Sequence, residues 1–238
     1  MKVEIWSDVV CPWCYIGKRR FEVALAQFEH RDEVEVIWRS YQLDPQAPRS
    51  SDISVNEMLA GKYGMGLEQA AAANERVTEM AASEGLEYHL DTAKYSNTFD
   101  AHRLIHLAAR QSRQNEMKER LMRAYFTEGV AVGDANTLVQ LASEVGIDPG
   151  EPRSVLSSDR YAGEVRADEG RAGAFGIRGV PFFAIDEKYG VSGAQSPVVL
   201  RLALEQAWAE SHPTVKIDSR TQTIIQDDIA CAGDSCAI

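Results

Sequence analysis

Ser7-Asp8-Val9-Val10-Cys11-Pro12-Trp13-Cys14-Tyr15-Ile16-Gly17 is the stretch on which the reading of this chain turns. Ahead of it, residues 2–7 alternate as a short strand with Val3 and Ile5 on one side. Behind it, Ile16, Phe21, Leu25 and Phe28 recur at spacings of three to five, a helical stripe that runs from Trp13 to about Glu29. Pro12 suits a first helical turn, where the missing N–H had no partner to lose. Residues 34–40, Val-Glu-Val-Ile-Trp-Arg-Ser, alternate again as a second strand. The opening is therefore strand, helix, strand, and the helix supplies the crossover that parallel strands require. Two cysteines sit where the first strand meets the helix.

Two cysteines separated by two residues can close a disulfide at the start of a helix. The unpaired N–H groups and the helix dipole favour an anion there, so Cys11 is expected to have a lowered pKa and to be the attacking thiolate. Cys14, one turn further in, resolves the mixed disulfide. Half of a zinc site is the competing reading of a lone C-x-x-C; its place near a strand–helix–strand pattern favours redox chemistry.

Beyond the second strand, Pro45, Pro48 and Arg49 mark a loop. Residues 53–158 then read as helical throughout, with helices over Leu67 to Ser83, His102 to Gln114, Glu116 to Phe126 and Thr137 to Val145. Asn97 and Asp100 precede an apolar run and are placed to cap it. The Asp148-Pro149-Gly150 turn is read as closing a helix. Helix resumes from about Ser158 to Phe175, followed by an apolar strand through Val180-Pro181-Phe182-Phe183-Ala184-Ile185, a hairpin to Ser192, and a last helix from about Ser196 to Glu210. The expected fold is α/β: a thioredoxin-like domain from residues 1–48 and 159–211, a large all-helical insertion over 49–158, and a polar tail over 212–238.

The chain has 238 residues, 45% of them hydrophobic and 26% charged, with a net charge of −11. Such a surface repels phosphate backbones, so no nucleic-acid partner is expected. No run of 18 or more apolar residues occurs, so no membrane span is expected either. Met1-Lys2-Val3-Glu4-Ile5-Trp6 carries no apolar leader core, and the expected compartment is the cytoplasm. In a reducing cytosol, closely spaced cysteines read as catalytic or metal-binding.

The motif around Cys11 and Cys14 resembles the opening of DsbA-like oxidoreductases of the FrnE type. Gly179-Val180-Pro181 before Phe182-Phe183 is similar to the cis-proline loop of the thioredoxin superfamily. Asn97-Thr98 with Ala101-His102-Arg103 resembles a stretch of the insertion shared by FrnE proteins and 2-hydroxychromene-2-carboxylate isomerases. The resemblance implies that Pro181 is cis and lies against the disulfide, and that Val180 offers its backbone to a substrate chain. It also puts Trp13 at the surface beside the disulfide and Asn97 and His102 at the substrate cleft. DsbA proper has a histidine between its cysteines; Pro12-Trp13 has no such group, which sets the expected potential between thioredoxin's, about −270 mV, and DsbA's, about −120 mV. The implied partner is a protein or small-molecule disulfide or dithiol. No bound cofactor or metal is implied, and glutathione or a thioredoxin-type reductant is the expected co-substrate.

Cys231 and Cys236, with four residues between them near the C-terminus, form a second pair. Some twenty flexible residues span roughly 25 Å, so the tail can reach the first pair. A relay to Cys11–Cys14, an inert tail, and a four-cysteine metal site are all compatible with that reach. His102 and His106 share a helix face but lack a third ligand. Two further functions stay open on sequence grounds: a glutathione-dependent isomerase or transferase of the kappa type, whose members generally carry serine at the position of Cys11, and a non-enzymatic metal-binding protein.

Overall fold

Lys2–Ser7 forms β1, one of two inner strands of a four-stranded sheet. It is hydrogen-bonded on both sides, which leaves five of its six residues buried. The computed structural model describes residues 1–213 apart from residues 50 and 52. After β1 come α1 (Pro12–Ala26), a 3₁₀ turn (Arg31–Glu33) and β2 (Glu35–Ser40), which pairs parallel to β1 with Val3 opposite Val36 and Ile5 opposite Trp38. Late in the chain, β3 (Phe182–Ile185) pairs antiparallel to the other edge of β1, and β4 (Tyr189–Ser192) pairs antiparallel to β3, giving the order β2-β1-β3-β4. Chain order and sheet order differ because the strand pair from the C-terminal half closes onto a strand laid down first.

The alternation along β1 gives the sheet two unlike faces. Val3, Ile5, Phe183 and Ile185 face a core shared with α1 and with α9 (Pro197–Ser211); Phe21 of α1 stacks on Phe183 at 5.5 Å between ring centroids. Trp6 and Ala184 face the other way, onto Ala172 of α8 (Ala162–Ala174) and Ile177. On that second face Glu4 is fully buried, accepting from Arg39 Nε at 2.8 Å and from Arg171 Nη2 at 2.9 Å.

Between β2 and α8 lie α2 (Val55–Tyr63), α3 (Leu67–Ser83), α4 (Phe99–Ala109), α5 (Gln114–Phe126), α6 (Ala135–Glu144) and α7 (Gly150–Leu156). Their buried side chains, Leu104, Met117, Leu121, Leu138 and Val155 among them, belong to the same apolar cluster as Val3 and Ile5, so the helices and the sheet share one core. α5 also closes the open edge of β2. The Gln114 amide accepts from Trp38 N–H and donates to Trp38 O, both at 3.0 Å, as a neighbouring strand would, and so protects an edge that would otherwise pair with other chains.

The thioredoxin fold with a large helical insertion thus stands, with corrections in detail. Residues 85–98 are non-helical, and Lys94 bridges back to Ser54. The Asp148-Pro149-Gly150 turn opens α7 rather than closing a helix, with Pro149 at its N-cap. α2 falls within the stretch read as helical, and its start carries a capping box that fixes its first residue: Ser54 Oγ accepts from Glu57 N–H, and the Glu57 carboxylate accepts from Ser54 N–H. Among the described residues, no helix is long and apolar enough to cross a membrane.

Candidate active site

Cys11 is the N-cap of α1, with Pro12 at the first helical position. The β1 strand ends at Ser7, a two-residue turn follows, and the Cys14 N–H donates to Cys11 O at 3.0 Å to begin the helix. Both cysteines are free thiols. Cys11 is 3% exposed and Cys14 0%, so the first sulfur is the one a substrate can reach. Trp13, 44% exposed, stands beside it at the surface.

The loop before β3 meets this motif. The Val180–Pro181 bond is cis. The Cys11 thiol donates to Val180 O at 3.6 Å, and Pro181 is buried against α1. Gly17 makes that approach possible: a Cβ there would lie 2.8 Å from Pro181 Cγ. From the other side Tyr88 packs over the motif. Its hydroxyl donates to Pro12 O at 2.8 Å, and its ring stacks on Phe126 and Tyr15.

Beneath the cysteines lies a charged floor. Asp8, wholly buried, accepts from Val9 N–H at 2.7 Å and Leu43 N–H at 2.8 Å, and His102 Nε2 lies 3.2 Å from its Oδ1. Burial alone would raise this carboxyl, but the hydrogen bond with His102 and the Leu43 N–H hold it below the usual carboxylate range. Burial pushes His102 below the ordinary imidazole value despite Asp8, which leaves the ring neutral at pH 7. Lys118 of α5 completes the floor, its Nζ donating to Ser7 O at 3.0 Å.

The environment corrects the expected ionisation of Cys11. A helix start should lower its pKa, yet the thiol is pushed well up. The hydrogen bond with Cys14 is the main cause, followed by burial and by the negative charges of Cys14 and Asp8; the Cys14 backbone N–H, which favours the thiolate, is outweighed. Cys11 Sγ also donates to a carbonyl, a bond only the protonated form can make.

Asn97 and His102 hold the site from within. Asn97 Nδ2 donates to Pro45 O and Ala47 O, both at 3.1 Å, and its Oδ1 accepts from Phe99 N–H, so it ties the loop after β2 to the start of α4. It lines a cleft of about 460 Å³ with Gln42, Arg49 and Arg166. His102 is 1% exposed and its Nε2 lies against Asp8, which corrects its expected place in the substrate cleft. His106 turns elsewhere, to Asp168 Oδ2 at 3.1 Å. Among the described residues no cluster of metal ligands forms; Cys231 and Cys236 lie outside them. Sequence reading missed Asp8, Tyr88 and Lys118. Lys118 had a signal: it interrupts the apolar stripe of α5, beside Met117 and Leu121.

The sequence profile of the DSBA-like thioredoxin domain matches residues 2–205. The crystal structure of a probable DsbA oxidoreductase from Streptomyces coelicolor matches with a TM-score of 0.85 and 46% identity, over 100% of this chain and 99% of its own. A Bacillus subtilis protein, YwbO, named only as uncharacterised, is 29% identical over 160 residues, which is 67% of this chain and 73% of its own length. The cytosolic disulfide reductase DsbM from Pseudomonas aeruginosa, solved with GSH, matches with a TM-score of 0.62 at 17% identity, over 87% of this chain and 99% of its own. That last likeness is one of fold.

Proposed function

The chain belongs to the DSBA-like thioredoxin domain family, and from that premise we propose that it is a FrnE-type disulfide reductase of the cytosol. Thiol–disulfide exchange through Cys11 and Cys14 follows from the motif, the fold and the 46% identical relative. The direction, the electron source and the compartment are the proposal. The observation that supports the direction is the raised pKa of Cys11. DsbA oxidises strongly because its reduced form is stabilised. Here the Cys11 thiolate gains no such stabilisation, so the pair gives up its electrons readily.

Cys11, as thiolate, attacks a substrate disulfide to form Cys11–S–S–R and expels the other half as a thiolate, which takes a proton from water. Cys14 then attacks the Cys11 sulfur and releases RS⁻. Two equivalents of thiol reopen the Cys11–Cys14 disulfide and leave as their own disulfide. Val180, with exposed Gly179 before it, supplies backbone against which an extended substrate chain can pair, and Trp13 covers its far side. Glutathione is favoured as donor because the DsbM structure was solved with it; a thioredoxin-type dithiol is the second candidate.

Cys231 and Cys236 are proposed as a second dithiol that passes electrons to Cys11–Cys14. Their spacing suits a small ring, and the length of chain after Pro213 gives the reach.

A titration in glutathione buffers tests the direction. The expected potential lies nearer thioredoxin's, about −270 mV, than DsbA's, about −120 mV. A value at the DsbA end would make the protein a disulfide donor and overturn the reading. Cys11→Ser is expected to reduce insulin-disulfide turnover to background. Replacing both tail cysteines by serine should slow turnover with a protein donor while leaving exchange with dithiothreitol intact; equal rates with every donor would remove the relay.

A further inference from the structure

Lys118 crosses from the helical insertion to the base of the cysteine motif, 111 residues away in sequence from the carbonyl it reaches. It is fully buried. Its one hydrogen bond goes to Ser7 O, its Nζ lies 5.8 Å from the centre of the Trp38 ring, and among the described residues it makes no ion pair. The hydroxyl of Ser7 is itself buried with no hydrogen-bond partner among the described residues, so polar capacity at this spot is unused. A buried ammonium held by a single neutral carbonyl is a costly arrangement. It persists in folded proteins where the charge is compensated or can be given up.

The groups facing Lys118 come from four elements. Cys11 and Cys14 lie at the start of α1, Asp8 in the turn before it, Trp38 on β2 and His102 on α4. His102 is neutral at pH 7, and Asp8 is already bonded to it and to two backbone N–H groups. Lys18 of α1 is also near, but its charge is met by Glu22 and Glu119. The variable charge in this set is that of the sulfurs. Cys14 acts on Lys118 more strongly than any other charge, and burial sets the ammonium's pKa at about 8 even with that help.

We propose that Lys118 is the proton store of the Cys11–Cys14 couple, neutral while the disulfide is closed and protonated when it is open. The inference rests on Cys11 and Cys14 cycling as a couple and holds for either direction of flow. The balance is complete. With the disulfide closed and Lys118 as the amine, two external thiols deliver two electrons and two protons and leave as their disulfide. One proton goes to the Cys11 sulfur, which donates to Val180 O. The other goes to Lys118, and the Cys14 sulfur carries the matching negative charge. In the reverse half-cycle the Cys14 thiolate attacks Cys11–S–S–R, the departing RS⁻ is protonated, and Lys118 returns to the amine. The net charge of the buried site thus stays the same throughout, which it would not with two adjacent thiolates over the Asp8 carboxylate.

The test reads Lys118 itself. In the full-length chain labelled with ¹⁵N-lysine, its Nζ resonance is followed against pH in the oxidised and the dithiothreitol-reduced protein. The expected result is a midpoint at least one pH unit higher in the reduced form, with the difference abolished in Cys11→Ser/Cys14→Ser. A midpoint independent of redox state overturns the inference while leaving the thiol–disulfide activity standing, and a chain whose first cysteine pair fails to cycle overturns both. Lys118→Met, checked for native near-ultraviolet circular dichroism, gives the second reading. Thiolate absorbance at 240 nm in the reduced protein should appear at least tenfold less readily at pH 7 than in the wild type, and Lys118→Arg should restore part of it. Unchanged thiolate titration in folded Lys118→Met also overturns the inference.

Discussion

Lys18 and Lys118 are the two most deeply buried lysines described here, 2% and 0% exposed, and they are set in opposite surroundings. Lys18 lies on α1, four residues after Cys14, with Glu22 at 2.5 Å and Glu119 at 2.7 Å. Glu119 in turn binds Arg19 and accepts from the Tyr15 hydroxyl at 2.5 Å. Lys118 is the residue just before Glu119, yet it points the other way and finds a carbonyl. One lysine is met by two carboxylates; the other, among the described residues, makes no ion pair. The lesson is that burial alone does not assign a role to a charged side chain. The charges that meet it do.

The largest effect should come from breaking the compensated side. Glu119→Ala leaves Lys18 with Glu22 alone and Arg19 without its main partner, and removing one member of a buried ion cluster costs about 3 kcal/mol. Thermal unfolding should fall by about 10 °C at pH 7 in a chain of this size; a fall of a degree or two would mean that solvent screens the cluster.

Removing the uncompensated lysine should act in the opposite sense. Lys118 has a folded pKa of about 8 against an ordinary 10.5. The unfolded chain therefore binds the proton more tightly, and the folded protein carries a full penalty below pH 8 that fades as pH rises toward 10.5. Lys118→Met should then stabilise the protein at pH 7 by about 2 kcal/mol, once the lost bond to Ser7 O is subtracted. Urea unfolding should show the gain shrinking between pH 8 and 10. A variant less stable than the wild type at pH 7 would make Lys118 a structural cation like Lys18.

Acid sharpens the contrast at smaller scale. Burial would raise Glu119, but Arg19, Lys18 and Tyr15 together draw it down to about 2. Its contribution is complete above the ordinary value of 4.5 and is lost as pH falls toward 2. Glu119→Gln should flatten the stability profile across that window by about 2 kcal/mol after allowance for its partial exposure, whereas Lys118→Met should leave the window unchanged. The smallest effect is expected at Tyr88, whose hydroxyl bonds Pro12 O. Tyr88→Phe should cost about 1 kcal/mol and shift Cys11 reactivity little, measured by the rate of thiol alkylation.

Much of this was legible from residues alone, for reasons of range. The stripe Ile16, Phe21 and Phe28, the alternation of 34–40 and the proline after Cys11 each act within a turn or a strand, and they place β1, α1 and β2 within one residue of the observed bounds except at the end of α1, which comes three residues early at Ala26. The α9 start was equally plain, with Ser196 accepting from Val199 N–H and Pro197 at the first position. The non-helical stretch 85–98 was hidden because its residues are held by distant partners. His89 N–H donates to Phe126 O, and Asn97 N–H to Pro48 O.

That Val180-Pro181 faces the cysteines was implied by the resemblance to the thioredoxin superfamily; by itself, the sequence determined the strand–helix–strand opening and the meeting of Cys11 and Cys14 at a helix start. These rest on periodicity, spacing and turn chemistry, which act over a few residues. Only the tertiary structure decided the ionisation of the site. A helix start viewed alone predicts a stabilised thiolate at Cys11. What raises it instead is a hydrogen bond with Cys14, a buried Asp8 fixed by His102 from α4, and enclosure by residues as distant as Tyr88. The energy of a charge depends on the solvent removed and the charges brought near, and both are set by which distant segments pack together.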